Sequence, residues 1–188
     1  KIRRLHNDWK RHYVCSLPEM EIIKKLINPN DTVFDIGANI GEFSFFLSTL
    51  ISNGLIFAFE PQNKPFKLLR SLSKNIKTVV PNNFGFSNKS GRATLFIPII
   101  NGSVSRAEAS MDPLFNDFSG YEKIFKSSYS LEESIQLTTL DEFCEKNISD
   151  RVDFIKIDVE GHELEILHGG HDVCLFKYRP ILFIEIFP

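Results

Sequence analysis

Near the end of the chain, Asp158-Val159-Glu160-Gly161-His162-Glu163 sets three carboxylates and an imidazole within six consecutive residues. Such groups take a proton from an attacking hydroxyl, orient a substrate for an in-line displacement, or hold a cation. Far upstream, Asp35-Ile36-Gly37-Ala38-Asn39-Ile40-Gly41 places two glycines and an asparagine after an acid. Glycine lets backbone approach a ligand closely, and asparagine tolerates the left-handed conformation. A further acid, Glu60, ends the apolar run Leu-Ile-Phe-Ala-Phe at residues 55–59.

The upstream group constrains its ligand. A dinucleotide turn needs G-x-G-x-x-G so that pyrophosphate can sit against bare backbone at a helix N-terminus. Counting from Gly37, the second and third glycine positions hold Asn39 and Glu42, and Glu42 sets a carboxylate where phosphate charge belongs. A nucleoside with no phosphates and an amino-acid end removes the conflict, and S-adenosylmethionine is such a molecule. Asp35 would accept from its ammonium, Gly37, Asn39 and Gly41 would form the turn beside it, and Glu60 would accept from the ribose hydroxyls. A purely structural turn, and a solvated strand end for Glu60, remain open on these residues alone.

The elements around both groups form an alternating series. Pro18 opens a helix over Pro-Glu-Met-Glu-Ile-Ile-Lys-Lys-Leu-Ile-Asn, closed by Pro29. Thr32–Ile36 is a short β-rich run, and Phe43, Phe46, Leu47, Leu50 and Ile51 then recur at helical spacing up to Asn53-Gly54. Residues 55–61 predict a second strand, 63–75 a helix, and 78–87 a third strand region. Thr139 and Glu142 are spaced as a capping box for a helix at Leu-Asp-Glu-Phe-Cys-Glu-Lys-Asn. A strand at 152–161, a helix at 162–170 and a strand at 180–188 complete the chain. The expectation is one α/β domain over 1–188, a doubly wound, mostly parallel sheet of five core strands. Residues 1–30 are a helical lead-in, and 102–130 an insertion flanked by two strands that suits a lid or binding loop.

With 188 residues, 43% of them hydrophobic and 18 of them Phe, the chain has material for one core. A net charge of −2 offers no basic field for nucleic acid or an anionic membrane, so a small molecule is the expected partner. Cys15, Cys144 and Cys174 are odd in number and form no C-x-x-C pair, which suits reduced thiols and a cytoplasmic location.

The motifs DTVFDIGANIGEFS, FAFEP, TTLDEF and DFIKIDVEGHELEILHGG, followed by RPILFIEI, resemble the FkbM family of S-adenosylmethionine-dependent methyltransferases over about Asp31 to Ile186. The resemblance implies a class I, Rossmann-like sheet and O-methylation of a sugar, glycan or natural-product hydroxyl. It implies cofactor contacts at Asp35, Gly37, Asn39, Gly41, Glu60 and Asn83, and chemistry at Asp158, Glu160 and His162. Asp158 would lie near the methionine end, with His162 or Glu160 as the base. The strand ends in Ile-Asp-Val-Glu-Gly rather than a proline-aromatic motif, which favours a hydroxyl acceptor over an amine. Glu160 and Glu163 can equally serve a helix N-terminus, worth about 0.3–1 kcal/mol each. Asp158 and Glu185, at adjacent strand ends, are candidate oxygen ligands for Mg²⁺. Class I sheets usually continue for two more C-terminal strands that are missing here, so the last strand would be an apolar edge, left by a shortened sequence or covered by a partner such as a second copy of the chain. The rival readings are a nicotinamide-dependent oxidoreductase on a similar sheet and an inactive nucleoside-binding module.

Overall fold

The computed structural model describes residues 18–100, 103–106, 109–111 and 130–186. The basic lead-in with Arg3, Arg4, Lys10 and Arg11, Cys15, and Phe115, Phe118 and Tyr121 of the insertion lie outside them.

Five parallel strands form the main sheet: β1 (Thr32–Ile36), β2 (Leu55–Phe59), β3 (Val79–Asn82), β8 (Phe154–Ile157) and β9 (Ile181–Ile184), in the order β3-β2-β1-β8-β9. The chain runs outward from β1 to β3 and returns on the other side of β1. The order therefore reverses between β1 and β8, where open α/β sheets bind ligands beyond the strand C-termini. β1 is central and covered on both faces, so its sequence reads as a nearly continuous apolar run broken only by Asp35.

One face packs against α1 (Pro18–Leu26), α2 (Glu42–Leu47) and α3 (Asn63–Ser73), with Ile23, Val33, Phe46, Ile56, Leu69 and Phe154 buried between them. On the other face, α4 (Leu140–Asn147) and α5 (Glu163–His168) cover Phe34, Phe59, Ile155 and Ile157. Edge-to-face ring contacts knit this side: Phe59 meets Phe86 at 4.6 Å and Phe143 at 5.0 Å between centroids.

The expected third strand divides. β3 stays in the main sheet, while β4 (Gly85–Phe86) turns away into a second sheet with β5 (Gly91–Ile100), β6 (Ser103–Val104) and β7 (Ser130–Thr138). β5 and β7 are antiparallel from Gly91↔Leu137 to Pro98↔Ser130. Their alternation buries Leu95, Ile97, Ile135 and Leu137 on one side. The strands flanking the insertion are thus a platform, and residues 112–129 lie outside the described residues.

The capping box forms by half. Thr139 Oγ1 accepts from the Glu142 N–H at 3.1 Å, while the Glu142 carboxylate accepts from Ser90 Oγ at 2.8 Å. The helix after β8 ends at His168, and a π-helical turn follows at His171–Leu175. Asp141 accounts for that turn: its carboxylate accepts from the N–H groups of Asp172, Val173 and Cys174 at 2.7–3.0 Å. β9 is the outer strand, with Ile181, Leu182 and the following Ile186 exposed. Among the described residues no helix is long and apolar enough to cross a membrane.

Candidate active site

The turn after β1 is left-handed at Gly37 (φ 80°), Asn39 (φ 49°) and Gly41 (φ 96°). It is pinned to the end of β2, where Phe59 O accepts from the N–H groups of Gly37 and Ala38 at 3.1 and 2.9 Å. Glu60 completes the lock. One carboxylate oxygen accepts from Asn39 N–H at 2.9 Å and the other from Gln62 N–H at 2.8 Å. The side chain is 3% exposed, and burial pushes its pKa up to about 7 although both hydrogen bonds oppose the rise. Asn83 braces the same corner, its amide donating to the carbonyls of Glu60 and Pro61 at 2.9 and 3.1 Å.

Protein atoms close in on both glycines. A Cβ on Gly37 would stand 1.8 Å from the Asp158 carbonyl oxygen, so its bare backbone lets the turn after β1 lie directly on the turn after β8. A Cβ on Gly41 would meet Leu69 at 2.6 Å. Asp35 is enclosed as well. It is wholly buried, accepts from Ser44 Oγ at 2.5 Å, and faces the Lys156 ammonium at 3.8 Å, a cation of the chain itself. Burial pushes the Asp35 pKa up, with Lys156 and Ser44 pulling the other way.

The turn after β8 carries side chains. Glu160 is left-handed (φ 56°) with no glycine to ease it, and Gly161 follows at φ 93°. One distant and one local partner hold this shape. Ser110 Oγ, from the second-sheet side, donates to the Glu160 carbonyl at 2.9 Å, and the Glu163 carboxylate accepts from Gly161 N–H at 3.1 Å. Glu163 therefore serves the turn. His162 Nε2 lies 3.0 Å from Ser87 Oγ, and Nδ1 lies 3.7 Å from the Glu165 carboxylate. Burial lowers the His162 pKa against the pull of Glu165 and Glu163, leaving a neutral imidazole at neutral pH. The Asp158 carboxylate accepts from Lys156 Nζ at 2.8 Å.

Between the two sheets lies a cleft. Gly37, Glu60 and Gln62 rim it on one side and Val159 and His162 on the other, with Phe86, Leu95, Ile135 and Leu137 as apolar lining. Sequence reasoning missed Lys156 and Ser87. Lys156 had a signal, a lone cation inside the apolar run Phe-Ile-Lys-Ile. Ser87 had none, because its role depends on how the second sheet folds back. Among the described residues, no three of His, Cys, Asp and Glu gather as metal ligands.

A model of the methyltransferase FkbM domain matches residues 35–188. The chain belongs to the FkbM methyltransferase family. Among curated relatives, hexuronic acid methyltransferase AglP of Haloferax volcanii is 30% identical over 157 residues, covering 80% of this chain and 56% of that protein. Methyltransferase sdnD of Sordaria araneosa is 27% identical, over 74% of this chain and 60% of its own. This FkbM chain thus spans somewhat over half the length of each. Among solved structures, Aeropyrum pernix fibrillarin with bound S-adenosyl-L-methionine is 14% identical over 75% of this chain and 40% of its own, at TM-score 0.38. Precorrin-6y C5,15-methyltransferase of Geobacter metallireducens is 21% identical over 38% of this chain and 40% of its own, at TM-score 0.31.

Proposed function

We propose that this FkbM chain transfers a methyl group from S-adenosylmethionine to an oxygen of a sugar, glycan or other small-molecule acceptor. The observation that carries the reading is the Glu60 lock: a buried carboxylate joins the left-handed turn to the end of β2 and rims the cleft that His162 reaches from the other side. A carboxylate has lone pairs to spare beyond two backbone donors, so Glu60 can still accept from the hydroxyls of a ribose. The absence of any phosphate-compatible third glycine, with Glu42 at the start of α2, fits a nucleoside cofactor better than a dinucleotide.

When bound, the cofactor supplies an electrophilic methyl group on a sulfonium. The chain does the rest. Glu60, Asn39 and the backbone of the first turn would hold the nucleoside, Asp158 would receive the amino-acid end, and the second sheet would keep water from the apolar side of the cleft. For a hydroxyl acceptor, neutral His162 takes the proton at Nε2, where Ser87 Oγ now sits, and Glu165 beside Nδ1 favours the resulting imidazolium. The side chain of Glu160 is the alternative base. A uronic acid, the acceptor type in the name of one relative, offers both hydroxyls and a carboxylate, and a carboxylate needs no base.

Calorimetry with S-adenosylmethionine, S-adenosylhomocysteine and NAD, followed by methyl-labelled cofactor with neutral glycosides and uronic acids, tests the proposal. The expectation is binding of both sulfur nucleosides, no binding of NAD, and label transfer to an oxygen. Binding of NAD alone would make the chain an oxidoreductase, and sulfur-nucleoside binding without transfer to any acceptor would make it a binding module.

A further inference from the structure

Lys156 is 9% exposed on β8 between the fully buried Ile155 and Ile157. The sheet register puts it beside Asp35 of β1 on one side and Phe183 of β9 on the other. Its ammonium lies 2.8 Å from Asp158 Oδ2, 3.8 Å from Asp35 Oδ1 and 5.4 Å above the ring of Phe43. Burial works against its charge, yet the carboxylates of Asp35 and Asp158 outweigh burial and hold its pKa above the usual lysine range.

The two contacts are unequal in an informative direction. Asp35 is completely buried, and its Oδ1 has no hydrogen-bond partner among the described residues. Asp158 is 30% exposed and can draw on water. A lysine present only as counter-charge to Asp35 would give its short hydrogen bond to the carboxylate that water cannot reach, where a missing bond costs most. Lys156 gives that bond to Asp158. Asp158 is also the residue whose carbonyl oxygen the bare Gly37 backbone rests on, so its carboxylate stands at the junction of the two turns.

We propose that Lys156 is a positioning residue for the amino-acid end of the cofactor. It fixes the Asp158 carboxylate in the orientation that receives an ammonium, while Asp35 offsets the positive charge that Lys156 brings into the core. Lys156 is one cation among the carboxylates of Asp35, Asp158 and Glu185, and Asp158 is the part-exposed one that it hydrogen-bonds. Asp35 then acts through Lys156 and not by touching the ligand. This rests on the S-adenosylmethionine reading above.

The test compares wild type, Lys156→Met and Lys156→Met/Asp35→Asn by thermal melting and by calorimetric titration with S-adenosylhomocysteine, which carries the same amino-acid end. Lys156→Met strands Asp35, so it should lower the melting temperature and weaken binding at least tenfold. Adding Asp35→Asn should restore the melting temperature and leave binding at least tenfold weak. Recovery of both in the double variant would reduce Lys156 to a structural counter-charge and overturn the proposal. If the double variant does not fold, Lys156→Arg decides: it keeps the charge but changes its reach, so a wild-type melting temperature with weakened binding supports positioning, and wild-type binding overturns it. Wild-type protein that ignores S-adenosylhomocysteine would defeat the cofactor reading itself, a result separate from either.

Discussion

The turns after β1 and β8 face each other across the sheet's switch point and are built in opposite ways. The first relies on glycine, at Gly37 and Gly41, and its one non-glycine left-handed residue is Asn39, whose short amide suits that region. Its hydrogen bonds are mostly to the neighbouring strand end, with Glu60 as the lock. The second puts Glu160, a residue with no liking for the left-handed region, at φ 56°, with Ser110 from the second-sheet side on its carbonyl, Ser87 on the His162 ring and Glu163 of the following helix on Gly161 N–H. A turn that only has to cradle a ligand can use backbone and keep its side chains small. On the proposed function the second turn presents Asp158, Glu160 and His162 and cannot, and Ser110 from the second-sheet side helps maintain its conformation.

The harshest way to break the comparison is at the point where the turns touch. Gly37→Val drives a Cβ into the Asp158 carbonyl at 1.8 Å and adds a β-branched residue at φ 80°. Both turns should be displaced, with a stability loss above about 3 kcal/mol by denaturant titration and no cofactor binding. A folded Gly37→Val protein that binds normally would show that the turns are independent.

His162→Ala separates the jobs of the two turns. Turnover on a hydroxyl acceptor should fall by about 10²–10⁴-fold while S-adenosylhomocysteine affinity changes little, since a base acts only in the transition state. Because burial lowers the imidazole pKa, the wild-type rate should rise with pH in the acid range and level off before neutrality. Equal losses in affinity and turnover would move His162 to the binding side.

Glu60→Gln probes the first turn. Affinity should drop by about 1.5–3 kcal/mol in calorimetry, the range for hydrogen bonds to a charged group. The pH dependence carries its own sign. With a folded pKa of about 7 against 4.5 for the free side chain, the native state binds the extra proton between these values. Stability of the ligand-free protein therefore declines as pH rises from about 4.5 to 7, and Glu60→Gln should remove that slope. Ribose hydroxyls donate to the ionised carboxylate, so cofactor affinity should climb with pH up to about 7 and then flatten.

How far these turns were legible in the sequence follows from what each depends on. Alternation of apolar runs announced the five parallel strands, because a strand covered on both faces has little choice of residue. Gly37, Asn39 and Glu60 were visible as a constellation since a left-handed turn before a helix accepts few residue types. Asp35 was legible as important but not in its surroundings: nothing in Asp-Ile-Gly-Ala-Asn tells that a lysine from residue 156 arrives beside it. Ser87 was invisible for the same reason, as its partner is set by a second sheet whose strands come from either side of a long insertion.

The gentlest test sets the two left-handed residues against each other. Glu160→Gly removes the clash of Cβ with the backbone, worth about 1–2 kcal/mol in that region, and part of the gain is cancelled by the added freedom of glycine in the unfolded chain. A net rise of a few tenths to about 1 kcal/mol in unfolding free energy is expected. Asn39→Gly removes less strain, because asparagine already tolerates φ near 49°, and the Asn39 N–H that Glu60 accepts from survives the change. Its stability and cofactor affinity should stay within about 0.5 kcal/mol of wild type. The contrast lies in activity: if the second turn is strained because its side chains are needed, Glu160→Gly should become more stable and slower together. A Glu160→Gly protein that is stabilised yet turns over at the wild-type rate would show that the strain there serves the packing of Ser110 and His162, leaving His162 as the base.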